Sequence, residues 1–220
     1  MSAAPHRIAA KPMPFALRPL KQDDVVQAAE VEREAFPTLF PPTAFRRELG
    51  KSNASYLVAQ ETAGRAATPE DAPKKRLFGS LLPGARGGSS HLEKGGRIAG
   101  FIGIWYMVDE AHVVSVGVRT SDRGRGIGEL LLIGAFERAM SRAAAVMTLE
   151  VRPSNAVAIN LYLKYRFEKR GVRKAYYADD REDALIMTTG PILTPEYRDL
   201  FVALEREHAE RWGAAERDLG

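Results

Sequence analysis

Val113-Val114-Ser115-Val116-Gly117-Val118 leads through Arg123-Gly124-Arg125-Gly126-Ile127-Gly128 into an apolar run that starts at Leu130. The order reads as a buried strand, a glycine-rich turn and the start of a helix. Gly124, Gly126 and Gly128 alternate with Arg125 and Ile127, so backbone N–H groups can crowd round a bound group with no Cβ in the way. The helix behind the turn points its unsatisfied N–H groups and the positive end of its dipole at the same place. That combination is an anion site, most often for phosphate. A P-loop would need Gly-Lys followed by Ser or Thr, and here Glu129 and Leu130 follow Gly128. A dinucleotide fingerprint would need its third glycine where Glu129 stands.

Arg123, Gly126 and Gly128 instead fit Arg-x-x-Gly-x-Gly. This resembles the pyrophosphate-binding motif of the GNAT superfamily of N-acetyltransferases. A second string, Leu149-Glu150-Val151-Arg152-Pro153-Ser154-Asn155-Ala156-Val157-Ala158-Ile159-Asn160-Leu161-Tyr162, is similar to the second half of that family's core. With Tyr176-Tyr177 and Arg181-Glu182-Asp183-Ala184-Leu185-Ile186-Met187, it resembles the bacterial ribosomal-protein-alanine N-acetyltransferases within it. The resemblance spans roughly residues 14 to 192, is specific from Val113 to Met187, and is loose before that.

Composition narrows the alternatives. A chain of 220 residues with 45% apolar content suits one domain with extensions. There is no cysteine, which excludes disulfides, thiolate metal sites and a cysteine nucleophile, and fits a cytoplasmic setting. His6, His91, His112 and His208 lie far apart, so no metal site is expected. A net charge of +4 from 32 basic and 28 acidic residues falls short of a nucleic-acid stripe, so no direct nucleic-acid binding is expected. No run approaches the ~18 apolar residues of a membrane span, and residues 1–14 lack a secretory core.

Around the opening stretch, periodicity places the other elements. Phe15 to Arg18 reads as a strand. Lys21 to Ala35 reads as a helix with Val25, Ala28, Val31 and Ala35 on one face. Thr43 to Leu49 reads as a short helix capped by Thr43. Strands follow at Ser55–Gln60, Ile98–Met107, Val113–Val118, Val146–Val151, Phe167–Lys174 and Ala184–Thr188. Helices are expected over Ile127–Arg142 and Asn155–Tyr165, the second N-capped by Ser154 or Asn155. The expected organisation is a flexible tail over 1–12 and one domain over 13–193. Residues 61–96 form a flexible excursion within it, and 194–220 a helical extension. Tyr197, Leu200, Phe201 and Leu204 make one apolar stripe on that extension, with Pro195 in its first turn. Two strands that each feed a returning helix make a parallel pair. The resemblance implies an α/β (α+β) GNAT fold: a mixed, mostly antiparallel sheet whose parallel pair splays to take the cofactor, with flanking helices.

It also implies the chemistry. Acyl transfer from a thioester to an amine needs the donor held, the amine deprotonated, the oxyanion stabilised and the thiolate protonated. Arg123, Gly124, Arg125, Gly126, Ile127, Gly128 and Glu129 would hold the pyrophosphate of acetyl-CoA as co-substrate. Val116, Gly117 and Val118 would pair with the pantetheine arm, with Val118 N–H polarising the thioester carbonyl. Asn155 would hydrogen-bond the pantetheine. Glu150, opposite in direction to Leu149 and Val151 on a strand, is the candidate general base, acting through one water. Tyr162, two turns after Asn155 on one helix face, is the candidate general acid, and Tyr165 faces elsewhere. Tyr176 and Tyr177, beside Asp179, Asp180, Glu182 and Asp183, form a candidate loop for a basic peptide N-terminus.

Three positions depart from the family pattern. Thr120 stands where proline is frequent, Arg166 where glycine usually precedes Phe167, and Phe40-Pro41-Pro42 where the subfamily has Trp-Ser. The leading expectation is an Nα-acetyltransferase acting on a protein N-terminus, such as that of a small-subunit ribosomal protein, as a monomer or weak dimer. A small-molecule amine acetyltransferase and a non-catalytic acetyl-CoA-binding module are the alternatives, and retention of Glu150 and Tyr162 speaks against the last.

Overall fold

The computed structural model describes residues 12–38, 41–62 and 96–219. The expectations for the tail and for the 61–96 excursion fall on residues 1–11 and 63–95, which lie outside these ranges, as does Phe40. In chain order the strands are β1 (Phe15–Pro19), β2 (Ala54–Glu61), β3 (Ile98–Met107), β4 (Glu110–Val118), β5 (Val146–Val151), β6 (Phe167–Arg173) and β7 (Ala184–Thr189). The helices are α1 (Val25–Ala35), α2 (Phe45–Glu48), α3 (Ile127–Ser141), α4 (Ala156–Lys164) and α5 (Pro195–Trp212). The strands form one sheet in the order β1-β2-β3-β4-β5-β7-β6. Only β4 and β5 run parallel, and the other neighbours are antiparallel.

Alternation along the strands builds a core on each face. Leu57 and Ile102 look to one side, with α3 residues Leu131 and Phe136 and with Phe201 of α5. Val58 and Phe101 look to the other, with Ala28 and Val31 of α1 and Phe45 of α2. Phe136 is the centre of the larger core, its ring 5.5 to 5.8 Å from those of Tyr165, Phe167, Tyr197 and Phe201. A Cβ at Gly134 would overlap Leu17, so this glycine is what lets α3 lie close to β1.

Helix ends follow local chemistry, with one correction. Asn155 caps α4 by accepting from Ala158 N at 3.1 Å, and Thr194 caps α5 by accepting from Tyr197 N at 3.3 Å, with Pro195 first in the helix. Thr43 does not cap α2. Ala44 holds that position without a side-chain bond, and Thr43 N–H donates instead to the buried carboxylate of Glu32 at 3.0 Å. The apolar stripe of α5 covers the domain's own flank: Tyr197, Phe201 and Leu204 are buried, and Leu200 packs against them. No helix among the described residues is long and apolar enough to cross a membrane.

Arg166, just past the end of α4, has φ of 60°, the left-handed conformation that glycine takes freely. Its side chain is exposed and makes no ion pair among the described residues. An L-residue there costs roughly 1 kcal/mol or more, while glycine gives back part of that through a freer unfolded chain. Arg166→Gly is therefore expected to stabilise the fold by up to ~1 kcal/mol. Urea unfolding should show a higher midpoint at unchanged slope. An unaltered or lower midpoint would mean that the turn is relaxed with arginine.

Candidate active site

The parallel pair is short. β4 and β5 are in register from Glu110↔Val146 to Val113↔Leu149, and there the pairing stops. On the β3 side, Gly103 pairs with Ser115 and Ile104 with Val113, leaving Val114 as an extra residue. A bulge bends its strand, and β4 departs from β5 at that residue. Beyond it, one edge of β4 from Val114 to Val118 has no strand partner among the described residues, so its main-chain groups face a gap.

That gap is the floor of a cavity of about 830 Å³. Val116 lies on its β4 side, Glu150 on its β5 side, and Asn155 and Tyr162 come from the α4 region. Tyr176 and Tyr177 come from the loop between β6 and β7. The structure thus gathers both candidate catalytic residues, Asn155, and both loop tyrosines around one space. Burial pushes the Tyr162 phenol well above its ordinary range, keeping its proton in place. Its hydroxyl has no hydrogen-bond partner among the described residues. Tyr165 is buried elsewhere, stacked on Phe136 and donating to Glu129 at 3.0 Å.

Glu150 is not alone. Its Oε2 lies 2.7 Å from His112 Nε2 and its Oε1 lies 2.8 Å from Arg173 Nε. The hydrogen bond to His112 holds the Glu150 carboxyl below its usual 4.5 against the opposing effect of burial. The same bond raises His112 above its usual 6.5, again against burial, with Glu110 adding to the rise. The two titrate as a coupled pair. His112 escapes a sequence reading that starts the strand one residue later, at Val113. β4 actually begins at Glu110, and His112 sits opposite Thr148, two residues before Glu150 on β5.

The glycine turn lies at the far end of the gap. The N-cap of α3 is Gly126, with φ of 78° and no side-chain cap, so the first N–H groups of the helix are left for an outside acceptor. A Cβ at Gly124 would meet nothing within 4 Å, and one at Gly128 would find only Val118 at 3.9 Å. This open cradle of donors fits a pyrophosphate. Arg123 is exposed. Arg125 is turned back to the buried Asp122 at 2.5 Å, which Arg97 also holds at 2.6 Å. Glu129 likewise has its carboxylate engaged, by Lys164 at 2.8 Å and by Tyr165. Gly117 faces Phe101, Ala35 and Phe36, where a Cβ would lie 3.0 to 3.4 Å from its neighbours and so crowd the end of α1. Asn155 spends its carbonyl oxygen on the α4 cap, and its amide N–H₂ remains able to donate.

The acidic loop is less free than its composition implies. Arg152 spans Asp179 at 2.7 Å, Asp180 at 2.9 Å and Glu182 at 3.0 Å, and its guanidinium lies 3.8 Å from the centre of the Tyr177 ring. Lys174 takes Asp183. Across the mouth, Thr38 Oγ1 donates to Asp179 at 2.5 Å, joining the loop after α1 to the tyrosine loop. The carboxylates thus hold Arg152, and through it the Tyr177 ring, in place. Among the described residues, no group of His, Asp or Glu is placed to hold a metal.

The acetyltransferase (GNAT) family pattern matches residues 55–167. The chain is 37% identical over 98 residues to the [ribosomal protein bS18]-alanine N-acetyltransferase of Escherichia coli, covering 44% of this chain and 66% of that protein. It is 32% identical over 175 residues to an N-alpha-acetyltransferase of Sulfurisphaera tokodaii, covering 79% and 91%. The chain thus spans just under two thirds of the Escherichia coli and Bacillus subtilis relatives, 66% and 64%, and nearly all of the archaeal one. The crystal structure of the Escherichia coli ribosomal-protein-S18-alanine N-acetyltransferase superposes with a TM-score of 0.58 at 22% identity, over 80% of this chain and 94% of that one. At that identity the likeness is one of fold.

The coupled pair makes a pH-dependent prediction. A raised His112 stabilises the fold fully below its ordinary 6.5, and that contribution fades as pH rises through the raised midpoint. A lowered Glu150 contributes fully above its ordinary 4.5 and fades as pH falls through the lowered midpoint. The stability lost in Glu150→Gln should therefore be greatest between these two ordinary values and shrink on either side. In the same variant the His112 imidazole, followed by NMR, should titrate below its wild-type midpoint. An unmoved midpoint would mean that the two side chains do not interact in solution.

Proposed function

The chain belongs to the GNAT acetyltransferase family, and on that premise we propose that it moves an acetyl group from acetyl-CoA to the α-amino group of a protein N-terminus. The observation that carries this reading is the meeting of Glu150, Asn155 and Tyr162 at one cavity in the gap between β4 and β5, roofed by Tyr176 and Tyr177. The names of the relatives support the acceptor class, and point to an alanine-initiated ribosomal protein as the first to test.

Acetyl-CoA supplies an acetyl group already activated as a thioester. The N–H groups of Arg125, Gly126, Ile127 and Gly128 hold its pyrophosphate, and the free edge of β4 at Val116 and Val118 lines up its pantetheine arm. Val118 N–H faces the carbonyl oxygen on which charge develops, and the amide of Asn155 donates to the arm. The acceptor amine forms its bond to the carbonyl carbon, and the carbon–sulfur bond breaks.

The proton inventory decides between bases. An α-ammonium group loses its proton near ~7.7–8.0. Glu150 alone, below 4.5, would be a base weaker by more than three units, or over ~4 kcal/mol. His112, hydrogen-bonded to Glu150 at 2.7 Å, has its proton affinity raised by that carboxylate, which brings it closer to that of the amine than Glu150 alone. Glu150, which borders the cavity, takes the amine proton through a water, and the His112 imidazole, 2.7 Å behind it, carries that proton on. Tyr162 gives its proton to the departing sulfur. A lysine side chain, near ~10.4, would ask several units more of the same base.

Gly128→Ala puts a methyl group into the donor cradle without touching the core, and should weaken acetyl-CoA binding by about tenfold, or ~1.4 kcal/mol, in calorimetry. Gly126→Ala is a poorer test, because its left-handed backbone and the Trp212 ring, 2.6 Å from the new Cβ, would disturb the fold as well. Unchanged affinity of a folded Gly128→Ala protein would remove the turn from the site.

Glu150→Gln and Tyr162→Phe should each slow turnover by ~10²–10⁴-fold while acetyl-CoA affinity stays within about twofold. Full activity in both variants would withdraw the assigned roles. In a panel of short peptides and free amines, mass localisation should place the acetyl group on the α-amine of Ala- or Ser-initiated peptides. Exclusive modification of lysine side chains or small amines would overturn the acceptor class.

A further inference from the structure

We infer that His208, with Trp212, is a positioning residue for acetyl-CoA that acts from the C-terminal helix by aiming the main chain of the glycine turn. The inference rests on the reading that this turn holds the pyrophosphate. Its basis is a contact that the chemistry above leaves unused. His208 is buried, being only 3% exposed, and its Nε2 lies 3.0 Å from the carbonyl oxygen of Gly126. A carbonyl can only accept, so Nε2 carries the proton and donates. The same oxygen accepts Leu130 N–H at 2.9 Å, the first hydrogen bond of α3. Two donors from different directions fix where that oxygen points.

Peptide planarity turns this into a statement about the site. The Gly126 carbonyl and the Ile127 N–H belong to one planar trans unit and point in opposite directions. Holding the oxygen toward α5 holds the Ile127 N–H outward, toward the place a pyrophosphate would occupy. Donation into the carbonyl also polarises the amide and strengthens its N–H as a donor. Trp212 closes the second degree of freedom. Its ring covers the side of Gly126 where a Cβ would stand, 2.6 Å from that position, so the left-handed turn is blocked from swinging that way.

The helix that carries both residues is itself fixed at each end. Tyr197 donates to the Tyr165 carbonyl at 2.8 Å. Lys164 joins Glu207 of α5 at 3.0 Å to Glu129 of α3 at 2.8 Å. After Trp212 the chain turns at Gly213 and bonds along β1, with Met13 N to Ala214 O at 2.9 Å and Leu17 N to Glu216 O at 2.8 Å. A helix anchored in this way can impose a direction on a loop of glycines that has little preference of its own.

The test compares two substitutions of similar size. His208→Gln keeps an N–H donor within reach of the carbonyl, and His208→Leu removes it. Calorimetry should show acetyl-CoA affinity falling about three- to tenfold in the leucine variant, equivalent to ~0.7–1.4 kcal/mol, and recovering in the glutamine variant. The loss should appear as a higher KM for acetyl-CoA, with kcat and peptide KM unchanged. It should vanish with acetyl-pantetheine as donor, which has no pyrophosphate. Equal affinity in the wild type and a folded leucine variant, equal loss in both variants, or the same loss with acetyl-pantetheine would each overturn the inference. Should the leucine variant fail to fold, Trp212→Phe carries the same expectation, and wild-type affinity in it would overturn the inference. Failure of the wild type to bind acetyl-CoA would instead refute the reading of the turn.

Discussion

Everything at the candidate site depends on β4 and β5 ceasing to pair. The pair is held for four residues, and the extra residue at Val114 then bends β4 away. Continued pairing would use up the free edge from Val114 to Val118 and bury Glu150 against its neighbour strand. Parting leaves a space whose walls are already rigid, because β3 supports one strand and β7 the other. The helices that return from the two strands begin at the same opening, which is why the α3 N-terminus and Asn155 both face it.

Charge is distributed in two clusters that frame this gap, one around a buried carboxylate and one at the exposed mouth. Asp122, only 2% exposed, collects Arg97 and Arg125 and so anchors the turn that precedes the glycines. Burial alone would raise its pKa, but the two guanidinium groups outweigh it and keep the carboxylate ionised. At the mouth, Arg152 does the reverse, one cation ordering three carboxylates and a tyrosine ring. The first cluster fixes the turn that leads into α3, and the second fixes the tyrosine loop at the mouth of the cavity.

Most of the architecture was legible because the chain is locally consistent. The bounds of β3 and β5 can be read to their end residues, periodicity places most of the other elements, and their order is the one the family resemblance implies. The glycine turn could be read because αL geometry and helix N-termini leave a mark in residue type. What escaped depends on tertiary placement. His112 was set outside its strand by Glu110 and Ala111, which have low strand propensity but sit opposite Val146 and Met147. Thr43 had the right chemistry for a cap, but the helix starts one residue later, from Ala44, and Thr43 N–H is held by Glu32, eleven residues earlier in the chain. Arg173 reaches Glu150 across β7, a contact no local spacing encodes. The ring of Trp212 over Gly126 is hidden for the same reason, since it lies far along the chain.

The course of the chain after Gly213 bears on how the molecule is made. β1 is hydrogen-bonded to β2 on one side. On the other it meets the stretch from Ala214 to Asp218, with a parallel bridge between Leu17 and Arg217. A strand that leaves the ribosome before the rest of its sheet is therefore completed by residues synthesised after every other strand. Until they arrive, the nascent protein carries an open strand edge, the kind of surface that recruits other chains. Cover for the β1 edge of the sheet waits for residues 214–218 to emerge, however early its core has formed.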